Sequence, residues 1–444
     1  MTRRFPIAAT LVATVLLAPG GLGAQQRPLT PAEAVDAVLS THPTLLAAVA
    51  RVEGAEADAA RARSAWLPGV VADGGVTRFQ EPMIVAPLHG FDPTRPPSFE
   101  RTLVQGRLGV AWTVYDGGAR GARIDGSRAG ADAADARRTG AEAGLLEEAA
   151  AAYLGVQTAR ELLGATGAWL EALAAEADLA RQRVDEGAAP RVAVLRADAA
   201  LSDARAQAAS ARARLDVAQR SLARLMGVPL TAVVDRPMAT VRPGSVTPAE
   251  LHGPAPETAA VRAARLAATA AETRVAEARA GRAPSVNAAA GLLTFGSTAG
   301  AFDTEWQAGV QVSWPLFTGG ARGATVRRSQ ADLTAAQADL RAAELKADEA
   351  RAGARAAVEE AAARRNALEA SVVQWEEVAR IEALALAAGA GVQTDFLRAQ
   401  ASLFQARAGR TAAVADEAMA RVRLARAQAD LTPRTLITLL EIVP

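Results

Sequence analysis

Ala111-Trp-Thr-Val-Tyr-Asp-Gly-Gly-Ala-Arg-Gly-Ala122 is written a second time in this chain, as Ser313-Trp-Pro-Leu-Phe-Thr-Gly-Gly-Ala-Arg-Gly-Ala324. Further matches keep the same interval: Gly187 with Gly389, Leu195-Arg196-Ala197 with Leu397-Arg398-Ala399, and Leu201 with Leu403. A constant interval across the whole block means no net insertion within it, the mark of a duplicated unit. Upstream, Leu67-Pro68 corresponds to Ala283-Pro284 at a wider interval. The extra residues fall between Met83 and Glu100, where Pro87, Pro93, Pro96 and Pro97 point to a loop.

Each half repeats one order of elements. A helix of moderate length, Thr44 to Trp66 and Thr258 to Arg282, ends before a proline. Two strand-like runs follow. A very long helical stretch comes next, Gly121 to Glu186 and Gly323 to Ala388, and spans roughly 100 Å as α-helix. A short glycine-bearing turn leads to a last helix, Val192 to Met226 and Thr394 to Asp430. The expected division is 1–24 as an export segment, 25–226 as the first repeat, 227–256 as an irregular Pro/Gly-rich connection, 257–430 as the second repeat and 431–444 as a tail.

The later strand of each half alternates with a period of two. Val104, Gly106, Leu108, Val110, Trp112 and Val114 share one face, and Gln105, Arg107, Gly109, Ala111, Thr113 and Tyr115 the other. Trp306, Ala308, Val310, Val312 and Trp314 alternate in the same way with Glu305, Gln307, Gly309, Gln311 and Ser313. About ten alternating residues with aromatics near the ends is the pattern of a transmembrane barrel strand. A soluble hairpin with one buried face would read alike. The earlier strands, Val70 to Gln80 and Val286 to Phe295, alternate less cleanly.

Four strands cannot close a membrane barrel, for which about eight are the minimum. An open edge in lipid is forbidden by its unpaired N–H and C=O groups. Other copies of the chain must therefore supply the rest of the wall. Two copies give eight strands, whose interior side chains would fill it; three give twelve and a lumen. The helices follow the same logic. Leu201, Ala208, Leu215 and Leu222 recur at a coiled-coil spacing. Elsewhere small apolar residues mix with both signs of charge, so a helix can pack against neighbours on two sides. A long solvated antiparallel hairpin explains the helices equally well, though not the duplicated strands.

Composition agrees. Of 444 residues, 50% are hydrophobic and only 4% aromatic, and alanine supplies most of the apolar count. Alanine favours long, closely packed helices over a thick globular core. Formal net charge is +1, which argues against a nucleic-acid partner. The absence of cysteine excludes disulfides, thiol catalysis, iron–sulfur clusters and a lipidated N-terminal cysteine. His42, His89 and His252 are dispersed, read as loop residues, and form no metal-ligand pair. No cofactor is implied. Arg3 and Arg4, the apolar run Ile7 to Ala18 and small residues to Ala24 read as a cleaved export signal.

Enzymatic signatures are missing: there is no G-x-S-x-G and no H-E-x-x-H. Gly117-Gly118 and Gly319-Gly320 sit where phosphate loops occur, but the surrounding pattern is not one. They read as turns from strand to helix, where glycine permits the bend. The turns Gly187-Ala188-Ala189-Pro190 and Gly389-Ala390-Gly391-Val392 lie farthest from the strands. Asp395 and Arg398, three apart, share a helix face. In a trimer they become rings at the narrow end; otherwise they are an ordinary surface pair.

Taken together, these residues resemble the TolC-like outer-membrane channel proteins. The resemblance rests on the twofold W-x-[VL]-[YF]-x-G-G after a strand, the Leu67-Pro68 and Ala283-Pro284 helix ends, and the tip pattern G-x(6)-[VF]-L-x-A-x-x-x-L. It covers Gln25 to Pro444. It implies a fold mainly α with β: a homotrimeric, twelve-stranded outer-membrane β-barrel continued by a periplasmic α-helical barrel, with a collar from 227–256 and the chain ends. It implies a passive exit duct for drugs, metals, small molecules or proteins. The expected partners are a periplasmic adaptor (membrane fusion) protein, a proton-driven or ATP-driven inner-membrane pump and outer-membrane lipid. Asp395 and Arg398 would line the gate, and Gly187–Pro190 and Gly389–Val392 would contact the adaptor. Trp112, Trp306 and Trp314 would anchor at the membrane interface. Arg398 stands where some members carry a second acid. The arginine–aromatic pair before the tip glycine is half kept at Arg183-Val184 and lost at Ala385-Leu386. The alternatives are a periplasmic coiled-coil adaptor and an exported hydrolase.

Overall fold

The computed structural model describes residues 27–85, 93–94, 99–244, 255–298, 300 and 302–442. The expected export segment, most of the proline-rich loop, His89, His252 and part of the inter-repeat connection lie outside these residues.

The first described helix, α1 (Pro31–Thr41), is missing from the sequence reading. Thr30 and Glu33 cap it reciprocally, Thr30 Oγ1 accepting from Glu33 N at 3.2 Å and Glu33 Oε2 from Thr30 N at 3.3 Å. α2 (Pro43–Ser64) follows at once. His42 is the joint between the two, its Nδ1 accepting from Thr44 N at 3.3 Å. Then come β1 (Gly69–Ile84), β2 (Phe99–Tyr115), α3 (Ala119–Asp185) and α4 (Arg191–Met226). The connection holds a short α5 (Thr231–Val234) and β3 (Val241–Pro243). The second repeat is α6 (Ala259–Ala280), β4 (Ser285–Gly296), β5 (Asp303–Ser313), α7 (Ala321–Ala387) and α8 (Gln393–Ala427). α9 (Pro433–Leu439) and β6 (Leu440–Ile442) end the described chain.

The four long strands form one antiparallel sheet in the order β1-β2-β4-β5. The two repeats thus contribute adjacent hairpins to one ribbon. Their registers agree residue for residue: Gly69 faces Ala111 in the first, and the matching Ser285 faces Ser313 in the second. Next to the sheet the helices lie side by side as α2, α3, α6, α7; farther away the order is α4, α3, α8, α7. Alanine permits this close lateral packing. Among the described residues, no helix is long and apolar enough to cross a membrane.

The main core gathers where the chain ends meet the middle of α3. Leu29, Val38, Leu146, Tyr153, Leu222, Val233, Leu436 and Leu440 are almost fully buried there. β3 pairs with β6, and Leu29 bridges to Met238. The Tyr153 hydroxyl lies 2.7 Å from both the Leu29 and the Ala239 carbonyl. Residues at both ends of the chain and the inter-repeat connection are thereby tied to one long helix, as a collar.

Candidate duct wall and tip

The sheet has two chemically different faces. The pairings Val70↔Val110, Leu108↔Leu292, Ala288↔Val310 and Leu292↔Trp306 join even-numbered residues on one side of all four strands. That side carries Val76, Leu108, Val110, Trp112, Val310, Val312 and Trp314, all exposed. The opposite side is polar. Arg107 Nη2 donates to Asp73 Oδ2 at 2.7 Å, and Thr113 Oγ1 to Asn287 Oδ1 at 2.8 Å. A shallow hollow on this side is lined by Arg107, Asn287, Gln307 and Gln311 with Gly109, Gly291 and Gly309 between them. An apolar outer face and a concave polar inner face are what a barrel wall in lipid requires.

The tryptophans hold the joint between sheet and helices. Trp112 Nε1 donates to the Trp66 carbonyl at 3.0 Å, and its repeat counterpart Trp314 Nε1 to the Arg282 carbonyl at 3.2 Å. Each strand is thus fastened just beyond the C-terminal end of a helix. Trp306 lies at the other end of β5, and about 26 Å of strand separates it from Trp314. With the strand tilted about 35–45°, that is roughly 20 Å of height, which lies within an outer-membrane apolar band of roughly 25 Å.

Four glycines make the exit from strand to helix: Gly117 (φ 68°), Gly118 (φ 92°), Gly319 (φ 59°) and Gly320 (φ 86°). The left-handed backbone favours glycine at these positions. The sequence reading missed the group that locks the first exit. Arg120 donates to Asp116 Oδ2 at 3.0 Å and lies 4.4 Å from the Trp66 ring centroid. The arginine recurs as Arg322, which was a legible signal; its acidic partner does not, because Thr318 replaces Asp116.

The tips are two helical hairpins side by side. Gly187 (φ 73°) and Gly389 (φ 74°) end α3 and α7 in the left-handed conformation. Ala188 N bonds to the Arg183 carbonyl at 2.7 Å, and Ala390 N to the Ala385 carbonyl at 3.0 Å. Pro190 and Val392 stand at the N-caps of α4 and α8. Ala188, Ala189, Pro190, Gly389, Gly391 and Val392 line one shared cleft. Arg183 Nη2 crosses it to the Leu386 carbonyl at 3.1 Å, and Gln393 Nε2 reaches Glu176 Oε1 at 2.7 Å. Arg398 and Asp395 form an exposed pair at 3.6 Å.

The helical layer is unfinished on one side. α3 and α7 both have 67 residues, yet α3 buries eighteen and α7 only seven. α3 has neighbours on two sides and α7 on one. Along α7, Leu345, Val373, Val378, Ile381 and Leu384 are all exposed.

The sequence matches the family described as outer membrane efflux protein over residues 34–228 and 257–432. The chain belongs to this family. The two matched blocks coincide with the two structural repeats. Among curated relatives, protein CyaE of Bordetella pertussis is 30% identical over 352 residues, 76% of this chain and 69% of that protein. Among solved structures, the outer membrane protein VceC of Vibrio cholerae superposes with a TM-score of 0.77 at 20% identity, covering 90% of this chain and 96% of that one. The CmeC outer membrane channel of Campylobacter jejuni gives 0.77 at 16% identity, covering 97% of each. As an outer membrane efflux protein, the chain is an outer-membrane exit duct with a periplasmic helical extension, and not an enzyme. The adaptor and hydrolase alternatives are set aside on this ground.

Proposed function

We propose that three copies of the chain close a twelve-stranded barrel in the outer membrane and a continuous helical tube beneath it. The observation that carries the reading is incompleteness of the right kind. Among the described elements the sheet has two free edges and an apolar face, and α7 has helices on one side only. Lipid does not tolerate free strand edges, and water does not favour an apolar flank.

The duct is passive. A periplasmic adaptor docks at Gly187–Pro190 and Gly389–Val392, and an inner-membrane pump, proton-driven or ATP-driven, supplies the energy. Drugs, metals, other small molecules or proteins leave through the lumen. Asp395 and Arg398 line the closed tip, with Arg196 at the position of Arg398 in the first hairpin. Trp112, Trp306 and Trp314 sit at the membrane interfaces.

Planar-bilayer recording tests the gate. The wild-type protein should conduct weakly, and Asp395→Ala/Arg398→Ala should raise single-channel conductance several-fold. Equal conductance of the two proteins contradicts the assignment of these residues to the gate.

A further inference from the structure

We propose that the closed tip parts between subunits, while the two helical hairpins of one chain, α3–α4 and α7–α8, move as a single body. The proposal rests on the trimeric duct and specifies its moving unit.

Within one chain, three ties cross from the first hairpin to the second. Trp169 of α3 stacks on Phe404 of α8, with ring centroids 4.7 Å apart and planes 10° from parallel. Nearer the turns, Glu176, only 4% exposed, accepts from Gln393 Nε2 at 2.7 Å. Arg183 Nη2 then donates to the Leu386 carbonyl, in the last turn of α7, at 3.1 Å. Trp169, Glu176 and Arg183 follow one another at seven-residue steps, so one stripe of α3 carries all three. Each tie is directional. A stacked pair is attracted beyond its buried area, and separating a buried carboxylate from its donor leaves a charge unpaired.

The same stripe on α7 is blank. The repeat interval that aligns Gly187 with Gly389 carries Trp169, Glu176 and Arg183 onto Ser371, Val378 and Ala385. It carries Phe404, Gln393 and Leu386 onto Ser202, Arg191 and Val184. In the ring, the second hairpin of one copy faces the first hairpin of the next, as first faces second within the chain. Ser371 then stands opposite Ser202 of the partner subunit, Val378 opposite Arg191 of the partner subunit, and Ala385 opposite Val184 of the partner subunit. No stack, no amide-to-carboxylate bond and no guanidinium bridge can form from these residues. The apolar contact alone is kept on both sides. Leu397 packs against the cluster of Leu173, Ala177 and Leu201 in the first hairpin. Its counterpart Leu195, 59% exposed, offers the same contact to the next copy. Both boundaries exclude water, and only the one inside the chain is also bolted. Packed units shift against one another as rigid bodies, and the boundary without ties is the one that yields.

The chain has no cysteine, so engineered thiols report without background. Full-length Glu176→Cys/Gln393→Cys spans the boundary inside the chain, and Val378→Cys/Arg191→Cys the equivalent boundary between copies. Each purified protein is recorded in planar bilayers before and after treatment with a short bismaleimide. Peptide mass spectrometry reads the internal link, and covalent trimer on denaturing gels reads the external one. The internal link should leave the frequency of spontaneous openings unchanged, and the external link should lower it roughly ten-fold or more. Arg183→Cys/Gln393→Cys, whose positions line one cleft, and Ser371→Cys/Ser202→Cys serve if a first variant is not exported. A block by the internal link, alone or alongside the external one, overturns the proposal, because the hairpins of one chain must then separate. Openings that survive both links overturn it too. A trimer whose internal or external pairs fail to link overturns the placement of the hairpins and the proposal with it. A particle that sizes as a monomer overturns the duct itself.

Discussion

At the scale of single residues, Tyr153 carries the collar. It is one of two tyrosines in the chain, set in an alanine-rich helix, and its hydroxyl has two buried carbonyls within bonding distance. Burial pushes the phenol upward, against the pull of Arg160. The fold therefore holds the neutral form. The stabilisation is complete below the unfolded value of about 10 and is lost as pH rises above it. The thermal midpoint of the wild type should be insensitive to this group from pH 7 to about 9 and fall beyond about 10. Tyr153→Phe should lower stability by about 1–3 kcal/mol at neutral pH and show a smaller alkaline fall, read by calorimetry. Trp112→Phe removes one indole N–H from the Trp66 carbonyl and should cost about 1 kcal/mol, seen as a lower thermal midpoint. The sequence reading did not single out Tyr153. It could not name Leu29 and Ala239, which are distant in sequence and meet only when the collar forms.

At the scale of elements, the strands and long helices were legible because their periods are physical. Alternation in Val104–Val114 and Trp306–Trp314 placed both faces correctly, and the proline after each shorter helix placed its end. Where the reading fell short, the signal was short or non-local. α1 follows a capping box in an unremarked stretch, and β3 and β6 have three residues each, too few for a period. Arg183 reaching the Leu386 carbonyl depends on two hairpins lying side by side. The faces yield a paired prediction. Leu108→Arg puts a charge on the lipid side and should cost about 2–4 kcal/mol near the midplane, whereas Ala111→Arg on the lumen side should cost little. Chemical denaturation in detergent or lipid measures both; equal penalties contradict the assigned faces.

At the scale of the whole molecule, one repeated unit explains both layers. The first repeat packs against the second along β2–β4, α3–α6 and α3–α8. In the second repeat the equivalent surfaces, the outer edge of β5 and the far side of α7, have no paired strand or packed helix among the described elements. A unit that contacts its successor in this way builds a ring when the rotation closes. Sequence arithmetic reached the same point from the strand count, since four strands cannot enclose a lumen. It could not show which surfaces stay bare, because that depends on the packed order of helices. The most direct measurement is the protein mass of the detergent-extracted particle, by light scattering corrected for the micelle. Three chains per particle is the predicted result. One chain, or two, contradicts the account.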